Sequence, residues 1–255
     1  MDENRKVYEN KKNAGSYFKQ PWLFSVEKNF LKNHGKLLTG FNMLDVGIGG
    51  GRTTPFFANR VREYIGIDYS SLMINYCSNK FKKLENAVFK NMDARNLNPF
   101  VDNYFDLVLF SFNGIDCVDY EGRIEILNEF YRVLKPKGLL LFSFHNARHL
   151  HKLYSLQCPR NPFRIFKELK RIKKIKKING AYSLFENEEY FSIYDGADHF
   201  KTKILYLTVE RQDGDLKSIG FRSTGFKDMQ TGKVILREQW KQVTMPWIFV
   251  EAEKI

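Results

Sequence analysis

The stretch MLDVGIGGGRTTPFF, residues 43–57, places four glycines between an apolar run and a predicted helix. Glycine weakens both strands and helices, so a cluster of glycines at this point indicates a turn that needs bare backbone. A phosphate, a nucleoside or the next helix could lie against such a turn. The residues that follow this turn indicate which of these three lies against it.

Short apolar runs alternate with amphipathic stretches on both sides of this turn. Strands are predicted at 42–46, 63–67, 86–90, 105–111 and 138–144, and helices at about 52–60, 70–83 and 119–134. This alternation is typical of an α/β protein with a mostly parallel sheet and helices on both faces. The closing WIFVEAEK, residues 247–254, is predicted as a final strand, and residues 207–219 as a helix that ends at Gly220.

Four parts of the chain are predicted. They are an N-terminal helical cap (1–40), a core (41–145), a basic cap or insertion (146–206) and the C-terminal part of the core (207–255). Residues 146–180 carry a net charge of +10 out of +12 for the whole chain. Within them Ile165, Phe166, Leu169 and Ile172 fall on one arc of a helix. Ile175 and Ile178 are predicted to leave that arc, so a long membrane-lying helix is not expected.

The spacing of the glycines excludes two common phosphate-binding motifs. A dinucleotide fingerprint would need a third glycine where Arg52 stands, and a P-loop would need a following Gly-Lys-Ser/Thr. What remains is D-x-G-x-G-x-G, formed by Asp45, Gly47, Gly49 and Gly51. Arg52 itself is expected to lie in solvent or in a salt bridge rather than on a ligand.

Acidic residues follow the next two predicted strands. Asp68 ends the second strand in YIGIDYS, 23 residues after Asp45, where a carboxylate can accept both hydroxyls of a ribose. Asp93 follows the third strand in NMDARNL and is suited to accept from an adenine amino group. The segments FDLVLFSFNGIDCV (105–118) and VLKPKGLLLFSFHN (133–146) come next.

In this order and spacing, the segments resemble the class I S-adenosylmethionine-dependent methyltransferases. The resemblance covers residues 40–145 well and the last 50 residues more loosely. It implies a Rossmann-like, seven-stranded, mostly parallel sheet with an antiparallel last strand, and S-adenosylmethionine as the cofactor. Segments 105–118 and 133–146 lack the Asn-Pro-Pro-Tyr signature of amino-methylating nucleic-acid enzymes and are more similar to small-molecule methyltransferases, some of them associated with glycan synthesis.

The resemblance also implies a role for each matching residue. Gly47, Gly49 and Gly51 would let the methionine portion approach the backbone, and Asp45 would bond its amino group directly or through water. Asp68 would hold the ribose. The remaining cofactor residues are expected along the nucleoside, the adenine and the floor of the methyl-transfer site: Tyr69, Met73, Asp93, Ala94, Ser111, Phe112 and Asn113.

Three residues are candidates for the general base that a hydroxyl acceptor would need. Asp116 follows the fourth strand, His145 ends the fifth, and His199 lies in DGADHF of the cap. Each has a structural alternative: a helix cap for Asp116, a packed histidine for His145 and a surface loop for His199. The histidines of HNARHLH (145–151) lack an acid or cysteine at metal-ligand spacing, so no metal is expected.

The expected function is methyl transfer to a small acceptor of anionic or glycan-linked type, with O-methylation favoured over N-methylation. Lys170, Arg171, Lys173, Lys174, Lys176 and Lys177 are expected to attract that acceptor or an acidic surface that carries it. The alternatives are an RNA methyltransferase and a non-catalytic cofactor-binding protein at acidic membrane surfaces. Three scattered cysteines, Cys77, Cys117 and Cys158, and a start without an apolar signal region predict a cytoplasmic protein with no membrane span.

Overall fold

The computed structural model describes residues 21–156 and 162–255. Its centre is one sheet of nine strands. The strands are β1 (Asn42–Val46), β2 (Glu63–Asp68), β3 (Ala87–Asn91), β4 (Phe105–Phe110), β5 (Leu134–Asn146), β6 (Tyr190–Ile193), β7 (Ile204–Leu207), β8 (Phe221–Asp228) and β9 (Trp247–Lys254). The helices of the described residues are α1 (Ser25–His34), α2 (Thr54–Phe57), α3 (Ser71–Lys80), α4 (Tyr120–Val133), α5 (Leu150–Tyr154), α6 (Pro162–Asn179) and α7 (Val209–Ile219).

Strand β1 lies in the middle of the sheet, and all five of its residues are buried. It pairs in parallel with β2 on one side and β4 on the other. Leu44 packs into the cluster that contains Phe130 of α4. Met43 points to the opposite face and packs with Phe30 of α1 and Phe57 of α2. The continuous apolar run of β1 therefore reflects a strand covered by helices on both faces.

The predicted fold class is confirmed, with two strands more than expected. Seven core strands follow the order β3-β2-β1-β4-β5-β9-β8, and the last strand, β9, is antiparallel to β5. The two additional strands, β6 and β7, come from the cap. Tyr182–Leu184 forms a short 3₁₀ turn before the strand Tyr190–Ile193.

The cap is attached to the sheet through the far end of β5. Strand β7 pairs in parallel with His145 and Asn146, beyond Phe142, where the pairing of β5 with β4 ends. The opposite edge of β5 is occupied by β9 as far as His145. The β6–β7 hairpin must therefore lie on the β4 side, over the carboxyl end of β4.

Helix α6 packs on this cap by a different face from the one predicted. Ile175 is fully buried in a cluster with residues of β6 and β7, and Ile172 is buried as well. Phe166 and Leu169, placed on the same arc as Ile172 by the sequence, are half exposed. Ile175 does leave the predicted arc, but the cap contacts the helix on the side that carries Ile172 and Ile175, so Phe166 and Leu169 of that arc face outward.

The predicted domain boundaries stay a prediction, and part of the expected N-terminal cap, residues 1–20, lies outside the described residues, as does Cys158. Cys77 is a buried thiol and Cys117 a half-buried one. No helix among residues 21–156 and 162–255 is long and apolar enough to cross a bilayer. The expected cytoplasmic location stays a prediction.

Candidate functional site

A cavity of about 570 Å³ opens where β1, β2, β4 and β5 end. These four strands are parallel, so the residues that follow them meet at one edge of the sheet. Its lining includes thirteen residues from that edge: Asp45, Gly47, Gly49, Gly50, Asp68, Tyr69, Met73, Ala94, Ser111, Phe112, Asn113, Cys117 and His145. Ligands of open α/β sheets bind at this edge.

The glycine-rich turn contributes two kinds of glycine. Gly47 lines the cavity at φ +60°, and a Cβ there would approach the Phe110 ring to 2.5 Å. Gly51, at φ +71°, is not among the lining residues, and its Cβ would meet the Phe81 ring at 2.3 Å. The structure therefore corrects the expectation for Gly51, because this glycine lets α3 and its following turn pack against the loop and does not face the cavity.

Asp68 is held in place by two backbone N–H groups. Its Oδ2 accepts from Gly49 at 2.9 Å, and its Oδ1 accepts from Ser70 at 2.8 Å. Burial raises the pKa of Asp68, and the two backbone hydrogen bonds oppose that rise. Each carboxylate oxygen retains acceptor capacity, so the side chain can still receive hydroxyl groups from the cavity.

Asp45 lies deeper than Asp68. Its Oδ2 accepts hydrogen bonds from Thr53 Oγ1 and Tyr64 Oη, each at 2.7 Å. Burial raises the pKa of Asp45 to about 6, despite these hydrogen bonds and the nearby Arg52. Oδ2 of Asp45 is thus held inside the protein by two side chains. The residue nevertheless forms part of the cavity wall.

After the third strand, the residues on either side of Asp93 line the cavity, but Asp93 itself does not. Met92 and Ala94 line the cavity, whereas Asp93 does not. The Asp93 carboxylate forms an ion pair with Arg95 at 2.6 Å, and both side chains are partly exposed. Asp93 therefore lies outside the lining, at the start of a turn that its backbone carbonyl closes with Asn96, and its expected contact with the adenine stays a prediction.

The floor after β4 has unusual backbone geometry. Phe112 and Asn113 adopt φ values of +63° and +60°, a region that costs energy for residues other than glycine. Asn113 donates its backbone N–H to Ser143 Oγ at 2.9 Å. Its side-chain Oδ1 is buried without a hydrogen-bond partner among the described residues. A strained turn that carries an unsatisfied acceptor at a cavity is typical of a ligand-binding position.

Arg52 connects α1 to this floor. Its guanidinium pairs with the buried Glu27 at 2.6 Å, as one of the alternatives from the sequence expected, and donates to Ser111 Oγ at 2.8 Å. The Trp22 and Phe112 rings lie beside the guanidinium, with centroids 4.8 and 5.8 Å from its carbon and 6.1 Å from each other. The cation at the cavity wall is therefore neutralised by Glu27.

His145 and Asp116, two of the candidate bases, form one unit. Asp116 Oδ2 accepts from the His145 backbone N–H at 2.6 Å and bonds the ring Nδ1 at 2.8 Å. Asp116 is fully buried and paired with the buried Arg123. Because a carboxylate only accepts, Nδ1 carries the proton and Nε2 is left with its lone pair. His145 lines the cavity, and Asp116 supports it from behind.

The third candidate base does not reach the cavity. His199 is exposed, and its neighbours Ala197 and Asp198 line the wall in its place. His149 and His151 bond the backbone carbonyls of Thr244 and Arg148 through Nδ1. Among residues 21–156 and 162–255, no group of three or more His, Cys, Asp or Glu side chains is arranged to hold a metal ion.

Several lining residues were not predicted. They include Trp22, Met92, Cys117, Asp198, Ile204 and Trp247. Met92, Cys117, Asp198 and Trp247 lie in quoted segments without being singled out as site residues, and no motif identifies the other two. The closing strand and the N-terminal cap were both predicted, but their meeting at the cavity was not.

Comparison with known proteins identifies the fold and then the domain. A solved S-adenosylmethionine-dependent methyltransferase from Methanosarcina mazei superimposes with a TM-score of 0.57 at 20% identity, over 88% of this chain and 97% of that one. The 1,6-didemethyltoxoflavin-N1-methyltransferase of Burkholderia thailandensis, solved with bound S-adenosylhomocysteine, gives 0.57 at 12% identity, over 90% and 76%. Residues 43–138 match the family model of a methyltransferase domain.

Residues 43–138 therefore match a methyltransferase domain, and the chain shares the fold of solved S-adenosylmethionine-dependent methyltransferases, in agreement with the predicted resemblance. Among curated proteins, the demethylmenaquinone methyltransferase of Staphylococcus saprophyticus is 36% identical over 106 residues, which are 40% of this chain and 44% of that protein. The chain thus spans less than half the length of this relative.

Proposed function

We propose that this protein binds S-adenosylmethionine at the glycine-rich edge and transfers its methyl group to a hydroxyl of a small acceptor, with His145 as the general base. The observation that carries this proposal is the His145–Asp116 pair in the wall of the cavity, in which the carboxylate holds Nδ1 and leaves Nε2 to accept a proton when the ring is neutral.

The residues of the cavity fit the cofactor. Asp68 offers two fixed carboxylate oxygens for the ribose hydroxyls, Met73 and Ala94 offer apolar surface for the nucleoside, and Gly47 lets a ligand approach the backbone. When bound, S-adenosylmethionine supplies an electrophilic methyl group on a sulfonium, so the protein mainly has to place a nucleophile in line with it.

His145 would then handle the proton. As the acceptor oxygen took the methyl group from the sulfonium of the cofactor, its hydroxyl proton would pass to Nε2 of His145. The resulting imidazolium would carry a positive charge next to the Asp116 carboxylate, 2.8 Å from Nδ1. Asp116 therefore keeps the ring in the required tautomer and stabilises its charged form.

The acceptor side of the cavity is largely aromatic. The ring centroids of Trp22 and Phe112 are 6.1 Å apart, those of Phe112 and Trp247 are 5.6 Å apart, and His145 is 6.5 Å from Trp247. The nearby Arg52 is already paired with Glu27. These contacts support an acceptor whose buried part is flat and apolar, with its hydroxyl beside His145. The anionic or glycan-linked character expected from the sequence stays a prediction.

Transfer of radiolabel from the cofactor tests this function. The protein is incubated with labelled S-adenosylmethionine and cell extract separated into small molecules, polysaccharide, RNA and protein. We expect label in the small-molecule fraction, on an oxygen of an aromatic product. Label in RNA would instead support the RNA methyltransferase alternative, and cofactor binding without any labelled product would support the non-catalytic one.

The role of His145 is tested by the pH dependence of kcat/KM. We expect wild-type activity to fall on the acidic side, where imidazole is protonated, and the His145→Gln variant to lose about 10²–10⁴-fold in rate together with this acidic limb. His199→Gln is the matched control, because His199 is exposed and outside the lining. An acidic limb that survives in the His145 variant would remove histidine from the mechanism and favour an amine acceptor.

A further inference from the structure

Arg123 of α4 is a completely buried arginine close to the cavity wall. A buried charge is costly unless charged or polar groups face it. Arg123 Nη1 donates to Asp116 Oδ1, and Nη2 donates to Gln212 Oε1. The guanidinium thus bonds the same carboxylate that holds His145, although it takes no part in the proposed proton transfer itself.

Two other elements fix this guanidinium in place. Gln212 is fully buried in α7, and its amide oxygen faces Arg123 because a guanidinium only donates hydrogen bonds. The Phe142 and Phe144 rings of β5 have centroids 5.6 and 5.9 Å from the guanidinium carbon. Arg123 is therefore held by β5 and α7 as well as by Asp116.

The two carboxylate oxygens of Asp116 bond different partners. Oδ1 accepts from Arg123, whereas Oδ2 accepts the His145 backbone N–H at 2.6 Å and bonds the ring Nδ1 at 2.8 Å. Because each oxygen is bound, the carboxylate cannot rotate without losing one of these bonds. Arg123 therefore fixes the direction from which Asp116 holds the imidazole.

The positive charge of Arg123 also acts on His145. The guanidinium already matches the buried Asp116 carboxylate, so a proton on the imidazole would place a second positive charge beside this pair. A nearby like charge disfavours the charged form of a titratable group. With a neutral residue at position 123, the carboxylate would face the imidazole alone and would favour the imidazolium. Arg123 therefore favours the neutral ring, whose Nε2 can accept a proton.

Other titratable groups surround these three residues. Asp215 lies near Arg123, but Arg211 pairs with its carboxylate at 2.9 Å. The further groups around Arg123 and His145 are Tyr120, Cys117, His149, Asp198, and Tyr206 with Asp195 and Arg171 beside it. Arg123 differs from these groups because it is a cation bonded directly to Asp116.

We propose that Arg123 is a positioning residue for methyl transfer. Acting through Asp116, it orients the His145 ring and keeps Nε2 free of a proton at neutral pH. Arg123 does not line the cavity, so it acts without contacting a ligand. This role rests on the proposed function, in which His145 is the general base.

Titration of the His145 ring by NMR tests this role in the full chain, without cofactor or acceptor. Histidine labelled with carbon-13 at Cε1 gives one signal for each ring, and the signal that is missing from His145→Gln identifies His145. Arg123→Met and Arg123→Gln both remove the charge, and we expect each to raise the midpoint of the His145 titration by about one to two pH units. Arg123→Gln retains a side-chain donor for Asp116, so it separates the charge from the hydrogen bond.

Arg123→Lys is the matched control, because it keeps the positive charge and should leave the midpoint close to that of wild type. The exposed His199 is an internal control, and its midpoint should be the same in every variant. Thermal unfolding shows which variants retain the fold, and Arg123→Gln decides the outcome if the more drastic Arg123→Met does not fold.

An unchanged His145 midpoint in the neutral variants, or an equal rise in Arg123→Lys, would overturn the role of Arg123 and leave His145 as the base. The proposed function fails separately, through a product methylated on nitrogen or through the lack of any product, and neither result alters the NMR titration. In activity measurements, the acidic limb of kcat/KM should move to higher pH in the neutral variants by the same amount as the midpoint.

Discussion

At the scale of single residues, the hydrogen bonds that a carboxylate already makes determine whether it can bind a ligand. Each carboxylate oxygen of Asp68 accepts one backbone N–H and retains capacity for a further hydrogen bond, and the residue lines the cavity. Asp93, which follows the neighbouring strand, accepts hydrogen bonds from Arg95 at the surface with both carboxylate oxygens. Two aspartates that look equivalent in the sequence therefore differ in what they can bind.

Replacing Asp68 by alanine should weaken cofactor binding. The ribose hydroxyls would lose their acceptors, which costs on the order of 1–3 kcal/mol, or about 5- to 150-fold in affinity. Calorimetry with S-adenosylhomocysteine measures this directly. Asp93→Ala is the matched control and should leave the affinity unchanged, because Asp93 lies outside the lining. A loss in the Asp93 variant equal to that in the Asp68 variant would contradict this assignment.

At the scale of elements, the turn after β1 contains two glycines, Gly47 and Gly51, that lack a side chain for different reasons. Gly47 lines the cavity, and a Cβ at this position would collide with the Phe110 ring. A Cβ at Gly51 would collide with the ring of Phe81, the residue just after α3. The first glycine lies in the cavity wall, and the second allows the turn and α3 to approach closely. Helix α7 offers a contrast, since Gly214 has open space around the position of a Cβ.

Gly51→Ala should therefore lower the stability of the whole domain. The added methyl group would meet the Phe81 ring, and a positive φ costs roughly 1–2 kcal/mol for alanine before any steric contact is counted. Urea unfolding gives the free energy. In the same experiment Gly214→Ala should stabilise the protein by about 1 kcal/mol, because alanine is the better helix former. Equal stability of the two variants would show that Gly51 is under no steric constraint.

At the scale of the whole molecule, a buried carboxyl group in the cavity wall, that of Asp45, contributes to stability in a pH-dependent way. Burial raises the pKa of Asp45 from 3.8 to about 6 in the folded protein. The folded state thus holds this proton more tightly than the unfolded state does. The contribution of Asp45 to stability is therefore fully present below pH 3.8 and is lost as the pH rises through about 6.

Asp45→Asn should remove this pH dependence, because an amide does not titrate and can still accept from Thr53 and Tyr64. We expect the free energy of unfolding of the variant, relative to wild type, to increase by roughly 2–3 kcal/mol between pH 4 and pH 7. Urea unfolding at a series of pH values measures the difference. A constant difference across this range would mean that Asp45 is ionised with an ordinary pKa in the folded protein.

The sequence by itself determined the parallel core, the antiparallel last strand and the positions of Gly47, Asp68 and His145. These follow from local signals, namely apolar runs, the glycines that interrupt them and the residues at strand ends, which parallel strands bring to one edge. The extra β6–β7 pair escaped prediction because its partner is the far end of β5, and pairing between distant segments leaves no local pattern.

Only the tertiary structure decided which of the predicted residues act together. The pairing of Asp116 with His145 depends on the loop after β4 reaching the end of β5, and the exclusion of His199 depends on how the cap lies above them. The rings of Trp22, Phe112 and Trp247 likewise meet at the cavity although they come from three distant segments, and more than a hundred residues separate Phe112 from Trp247. Side-chain direction in such loops is set by packing between distant parts of the chain, which residue type and spacing do not encode.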